Sequence, residues 1–352
     1  MSHTPEFLDA LLRAPAPSGY EGPAAAVWRD AAGFAEVSVD PLGSTVARVP
    51  GAGEHAPTFA VVGHIDEIGL VVTHIDDEGF LWFGPIGGWD PQILVGQRVV
   101  VAGREGEVAG VLGKKPVHLL KEEQRKQVAK ITDMHIDLGA VDREDAERLV
   151  RVGDPAVLAA EPLELPNGRL ASRSLDNRLG SYVALEVARR VAEAGGVEAT
   201  VAGVAAVQEE VTLAGSQTTA FAIDPTLAVA VDVTHATDAP GIEKKENGDH
   251  ALGSGPVICR GSTLNPKVTA LLIETAESEG IEHTLEASGR STGTDADAIQ
   301  MSRAGIATGL VSIPLRYMHS TVEMVQLSDV EAVIELLVAV AGRLDGDSDF
   351  TR

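Results

Sequence analysis

Thr200-Val201-Ala202-Gly203-Val204-Ala205-Ala206-Val207-Gln208-Glu209-Glu210-Val211-Thr212 is the stretch on which the reading of this chain turns. Its first half is a run of small and β-branched apolar residues, which predicts a buried strand. The run ends in two adjacent carboxylates, Glu209 and Glu210, where such a strand would leave a sheet. Burying a carboxylate is costly unless it is paired or holds a metal. A lone Glu-Glu pair is ordinarily a solvated strand end or a salt bridge. Here, however, three other strand ends also finish in His or Asp. The pair therefore reads as one general base and one metal ligand.

Outward from that stretch, Thr58 to Gly63 reads as a second buried strand, delivering His64-Ile65-Asp66-Glu67. Thr226 to Val231 runs into Asp232, Ala307 to Ile313 runs towards His319, and Asp176 precedes a helix predicted over Arg178 to Ala194. Other helices are expected from Pro5 to about Arg13 with Thr4 as cap, from Pro23 to Ala32, and from Lys267 to Glu279. One opens at Gly293-Thr294-Asp295, and the last spans Leu327 to Leu344, with Ser328 as cap and Glu331 three residues on. Strands alternating with helices predict an α/β fold, a mixed and mostly parallel sheet with helices on both faces. Between 70 and 166 the texture changes to short alternating strands (Leu70 to Ile75, Phe80 to Phe83, Gln97 to Ala102, Glu107 to Leu112) with Gly-rich turns. That block predicts a small β-barrel or PDZ-like domain, inserted into an α/β domain made of residues 1–69 and 167–352.

Composition narrows the function. The formal charge of −24 argues against nucleic acid or an anionic membrane as partner. Cys259 is the only cysteine, so a metal site must use imidazole and carboxylate. No apolar run reaches membrane-spanning length, and Met1 to Arg13 lacks a signal-type apolar core, so a cytoplasmic protein is expected.

His-Ile-Asp occurs three times, at 64–66, 74–76 and 135–137, so the tripeptide alone means little. Only His64 follows a continuous apolar strand; His74 and His135 are expected at the surface or in packing roles. Ligand sites in open α/β sheets lie outside the carboxyl ends of the strands. His64, Asp176, Glu209 with Glu210, Asp232 and His319 all map there. Two His and three carboxylates suit two divalent ions sharing a bridging carboxylate, with zinc, cobalt or manganese the metals that take such donors. Asp66 is placed to hold the His64 imidazole.

With these residues in view, the chain resembles the glutamyl/deblocking aminopeptidases, di-metal exopeptidases that often form tetrahedral (TET-type) dodecamers. The resemblance is carried by Pro17-Ser18-Gly19-Tyr20-Glu21, His64-Ile65-Asp66-Glu67-Ile68-Gly69, Gly113-Lys114-Lys115-Pro116, Ser174-Leu175-Asp176-Asn177-Arg178, Val207-Gln208-Glu209-Glu210-Val211, Asp232-Val233-Thr234-His235, Gly293-Thr294-Asp295 and Ile313-Pro314-Leu315-Arg316-Tyr317-Met318-His319-Ser320. It implies one ion on His64, Asp176 and Asp232 and a second on Asp176, Glu210 and His319. It also implies Glu209 as general base, Asp66 as the residue orienting His64, and subunit contact through the insert, giving a homodimer as building block of a dodecamer. The chain departs from the family at Thr212-Leu213-Ala214, where relatives tend to carry Gly-Leu-Arg.

The expected reaction is removal of the N-terminal residue from a peptide with a free N-terminus, by water activated between two metals. A di-metal carboxypeptidase or deacylase shares the same core logic. A glycosidase using Glu209 and Glu210 fits less well, because neighbours on a strand point to opposite faces. A non-catalytic assembly subunit would leave the ligand set without a purpose.

Overall fold

A computed structural model describes residues 3–53 and 55–352. Its centre is an eight-stranded sheet. From one edge to the other the strands are Glu36–Val39, Thr45–Val49, Thr200–Ala206, Thr58–His64, Leu227–His235, Ala307–Leu315, Val257–Gly261 and Thr284–Ser288. The four strands from Thr200–Ala206 to Ala307–Leu315 run parallel, so their carboxyl ends open on one side of the molecule. Thr200–Ala206 is buried along its whole length, as a strand covered on both faces must be.

One face carries helices Leu175–Glu193, Pro266–Glu279 and Leu327–Ala341, over a core that includes Trp28, Phe59, Val229 and Leu337. The other carries Ala214–Ile223 and Asp295–Ile299, over Ala60, Val62, Val204 and Ala230. Helix Leu175–Glu193 lies unusually close to the sheet because two glycines face it. A Cβ on Gly63 would sit 2.1 Å from the carbonyl carbon of Gly180, and one on Gly203 would sit 2.4 Å from the carbonyl oxygen of Ala184. Both distances are far inside van der Waals contact, so only glycine admits this helix at this depth.

A closed six-stranded barrel follows the Thr58–His64 strand. Around it run Gly69–Ile75, Leu81–Ile86, Met134–Asp137, Gly106–Lys114, Arg98–Gly103 and Pro155–Leu158. Its core is separate from that of the sheet and contains Leu70, Leu81, Val99, Val101, Leu112 and Ile136. Met134–Asp137 and Pro155–Leu158 close the ring yet are absent from the sequence reading, since four residues are too few to display a period. A small antiparallel sheet of Leu163–Leu165, Arg169–Ser172 and Glu323–Gln326 completes the fold.

Two helix starts differ from expectation. The first helix runs Glu6–Arg13 with Pro5, not Thr4, at the cap. In Leu327–Ala341 the cap position belongs to Gln326 and no capping box forms. Glu331 is occupied elsewhere: both its oxygens accept from the Arg190 guanidinium, at 2.5 and 2.9 Å. No helix among the described residues is long and apolar enough to cross a membrane.

Candidate metal centre and active site

The carboxyl ends of the parallel strands hold a cavity of about 330 Å³ whose walls include His64, Asp176, Glu209, Glu210, Asp232 and His319. Six residues spread over 256 positions of sequence are thus brought together (64 to 319). His64 ends its strand, and Asp232 lies within the neighbouring Leu227–His235 strand; both are buried. Asp176 enters from the helix side, where Asp176 and Asn177 depart from helical geometry before the helix proper begins. Asn177 acts as its cap: the side-chain oxygen accepts from Gly180 N at 2.8 Å, and the amide nitrogen donates to Val231 O at 2.8 Å. The second of these bonds ties the Asp176 turn to the strand that carries Asp232.

Glu209 and Glu210 are not on a strand. Gln208 turns the chain through left-handed geometry (φ 58°), and the pair forms the first turn of the short helix Glu209–Thr212. The expectation that strand neighbours point to opposite faces therefore does not apply, and both side chains line the cavity. His319 also sits in the left-handed region, at φ 59°. Left-handed residues other than glycine concentrate at functional sites, where surrounding contacts hold them.

The distances group the ligand atoms closely. Asp176 stands between the two imidazoles, with Oδ1 3.3 Å from His64 Nε2 and Oδ2 3.4 Å from His319 Nε2. Glu210 Oε1 is 3.4 Å from His319 Nε2, and Glu209 Oε2 is 3.7 Å from His64 Nε2. Candidate ligand atoms of His64, Asp176 and Glu210, and likewise of His64, Glu209 and Asp232, lie within 4.8 Å of one another. Each imidazole is turned by its other nitrogen. His64 Nδ1 lies 3.2 Å from Asp66 O, and His319 Nδ1 lies 2.8 Å from Gly88 O. A ring that donates from Nδ1 to a carbonyl presents Nε2 as a lone pair, the tautomer a metal requires.

The electrostatics also call for a cation. Burial, with the charges of Asp232, Asp295 and Glu210, pushes the Glu209 carboxyl up to about 10, although His64 opposes the rise. Burial likewise raises Glu210 and Asp232. The Asp176 and Glu210 carboxylates facing its ring lift His319 to about 11. Asp176 is lowered: burial works against ionisation, but the two imidazoles outweigh it. Glu210 Oε1 is buried without a hydrogen-bond partner. Among the described residues, no Lys or Arg lines the cavity. Nitrogen and oxygen donors in this density, with no Lys or Arg among the described residues of the cavity wall to neutralise them, fit divalent transition ions.

The structure gives several residues supporting roles that the sequence reading did not assign. Glu323, buried, accepts from Asp176 N at 3.1 Å and from His319 N at 2.8 Å, so one carboxylate positions two candidate ligands. Glu21 accepts from Gln208 N at 3.0 Å and holds the turn before the glutamate pair. Asp66 does more than its expected task. Its side chain lies 3.5 Å from His64 Nδ1, and its two oxygens accept from Glu209 N and Glu210 N, each at 3.1 Å. His74 is exposed, and His135 packs on the Phe80 and Trp82 rings; neither belongs to the cluster.

Comparison with known proteins identifies the family. A lysyl aminopeptidase of Pyrococcus furiosus is 38% identical over 354 residues, covering 98% of this chain and 99% of that one. The TET aminopeptidase of the marine sediment archaeon Thaumarchaeota archaeon SCGC AB-539-E09 superposes with a TM-score of 0.91 at 37% identity, covering 97% of this chain and 96% of that one. A Pyrococcus horikoshii TET1 peptidase, which can assemble into a tetrahedron or a large octahedral shell, gives 0.84 at 33% identity, covering 96% and 99%. Residues 43–336 match the family profile described as M42 glutamyl aminopeptidase. The chain belongs to that family of metal-dependent aminopeptidases and is a hydrolase of peptide bonds.

Proposed function

We propose that this chain removes the N-terminal residue from peptides with a free N-terminus, using two divalent ions held by the residues of the cavity. The observation that carries the reading is the convergence of His64, His319, Asp176, Glu209, Glu210 and Asp232 on one 330 Å³ space. One ion is assigned to His64, Asp176 and Asp232, the other to Asp176, Glu210 and His319, with Asp176 shared. The 3.3 and 3.4 Å approaches of Asp176 to both imidazoles support the sharing. When bound, such ions lower the pKa of water and polarise a carbonyl, and zinc, cobalt and manganese each have the donor preference for it.

Glu209 is assigned as general base. It takes the proton of the attacking water and returns it to the departing amine. Asp66 fixes the backbone of Glu209 and Glu210 and the ring of His64, so it is a positioning residue. Glu323 plays the same part for Asp176 and His319. The test compares an aminoacyl p-nitroanilide with its N-acetyl analogue, in metal-loaded protein. The free amine should be cleaved and the blocked one should not. Cleavage of the blocked substrate alone would favour a deacylase, and activity that survives a strong chelator would sink the metal reading.

Self-assembly belongs to the same proposal, with residues 70–166 as the contact domain. The shells formed by the Pyrococcus horikoshii peptidase support it. Val117, Leu119 and Val128, which are 54, 65 and 57% exposed on the barrel's long excursion, are apolar side chains that such a contact would cover. Light scattering should give a mass many times 36.7 kDa, in steps of a dimer. A fully active monomer would refute it.

A further inference from the structure

The barrel reaches into the ligand cluster at the turn that follows its strand Leu81–Ile86. Gly87 opens this turn in the left-handed region, at φ 73°. A Cβ on Gly87 would lie 2.6 Å from Ile68 Cγ2 and 3.5 Å from Glu210 Cβ, so the main chain runs directly against a ligand. The next carbonyl, Gly88 O, lies 2.8 Å from His319 Nδ1. Trp89 pins the turn: its indole N–H donates to Gly69 O at 2.8 Å, and its side chain packs on the barrel core. Trp89 also lines a small internal space together with Asp176, Glu210 and Glu323.

Resting on the two-ion reading of the site, we infer that residues 87–89 are a latch from the barrel that sets the affinity of the second ion. Trp89 is its positioning residue, acting through Gly88 and His319. A carbonyl oxygen can only accept, so the Gly88 contact keeps the His319 proton on Nδ1 and turns Nε2 towards Asp176 and Glu210. The ring needs such a holder. Glu323 fixes the main chain of His319 through its N–H, which leaves the side-chain torsions of this half-buried residue free. Glu210 and His319 are the two ligands assigned to the second ion alone, and the turn lies against both. His64, by contrast, is turned by Asp66 O, two residues along its own segment. The first ion therefore draws its geometry from the main sheet, and the second draws on the barrel as well. Loosening the turn should free the second ion and spare the first.

The test titrates full-length, chelator-stripped protein with cobalt(II) in a calorimeter. The natural sequence should show two binding steps, and His319→Ala, which deletes a ligand of the second ion only, identifies the step that belongs to it. Trp89→Phe keeps the aromatic packing but lacks the indole N–H. It should weaken the second step by about ten- to a hundred-fold, the usual cost of losing a group that orients a metal ligand, and leave the first unchanged. Gly87→Ala, which drives a Cβ into Ile68, should do at least as much. Turnover by Trp89→Phe should fall at limiting cobalt and return with excess. In a His319→Ala background Trp89→Phe should change nothing further, because the latch acts through that ring. Circular dichroism checks that each variant is folded, and Trp89→Phe carries the test if Gly87→Ala is not. Both steps weakened alike would make Trp89 a general support and overturn the latch. An unchanged second step in folded Trp89→Phe would overturn it too, with the two-ion centre left standing. A single step in the natural sequence would overturn the two-ion reading and the latch with it.

Discussion

Glu209→Gln should lower kcat by about a hundred- to ten-thousand-fold, the range typical for loss of a general base. KM should change little, and both ions should remain bound. Glutamine keeps the size and polarity of the side chain but cannot accept a proton. Its backbone N–H still donates to Asp66, so the turn keeps its place. Glu210→Gln should fail differently. Glu210 Oε1 faces His319 Nε2 at 3.4 Å and has no other partner, so the substitution weakens one ion and leaves the base in place. Excess metal should then restore part of the activity, because a weak site fills by mass action. The two measurements are steady-state kinetics and elemental analysis. If Glu209→Gln lost metal while Glu210→Gln kept both ions and lost only turnover, the assigned roles would be reversed.

Stripping the metal should abolish activity and make stability depend on pH. In the metal-free chain the Glu209 carboxyl rises from its ordinary 4.5 to about 10, first because it is buried and then because other carboxylates crowd it. Between those values the folded chain holds a proton that the unfolded chain has released, so stability falls as pH rises through that window. His319 acts in the same sense. Its folded value is raised from 6.5 to about 11, so its contribution is full below 6.5 and is lost as pH climbs towards 11. Asp176, lowered from 3.8, works in the opposite direction only under acid conditions. The unfolding midpoint of chelated protein should therefore drop between about pH 6 and about pH 9. Metal should raise the midpoint most at the alkaline end, the added stability being about 3 kcal/mol per site at a hundred-fold excess over Kd. Metal analysis should return two ions per chain. A midpoint indifferent to chelator, or one tight ion per chain at saturation, would count against the dinuclear centre.

The candidate site was legible in the sequence because its residues end buried apolar runs. Thr58-Phe59-Ala60-Val61-Val62-Gly63 and Leu227-Ala228-Val229-Ala230-Val231 can only be interior strands, and a His or Asp on such a run stands out. Glu323 and Glu21 were illegible for the opposite reason. Each acts on backbone N–H groups brought near by the fold, Glu323 on residue 176 and Glu21 on residue 208, and no local pattern marks such a contact. The capping box at Ser328 and Glu331 failed similarly. A local motif lost its glutamate to Arg190, 141 residues away, which only the packed structure could offer. The alternating strands of the barrel were readable, whereas its two four-residue strands were not. The course of Glu209 and Glu210 after the strand was missed because a single left-handed residue, Gln208, redirects both.

The glycine contacts under helix Leu175–Glu193 bear on how the centre responds to compression. That helix leads away from Asp176, and Gly63 and Gly203 belong to the strands that precede His64 and the Glu209 turn. With main chain resting on main chain at both places, no rotamer or void separates the three segments. Hydrostatic pressure acts by eliminating internal voids, and a seam without them has nothing to yield. The spacing between Asp176 and the ligands on the strands is thus gauged by backbone thickness. It should stay constant under pressures that already deform side-chain packing elsewhere in the chain.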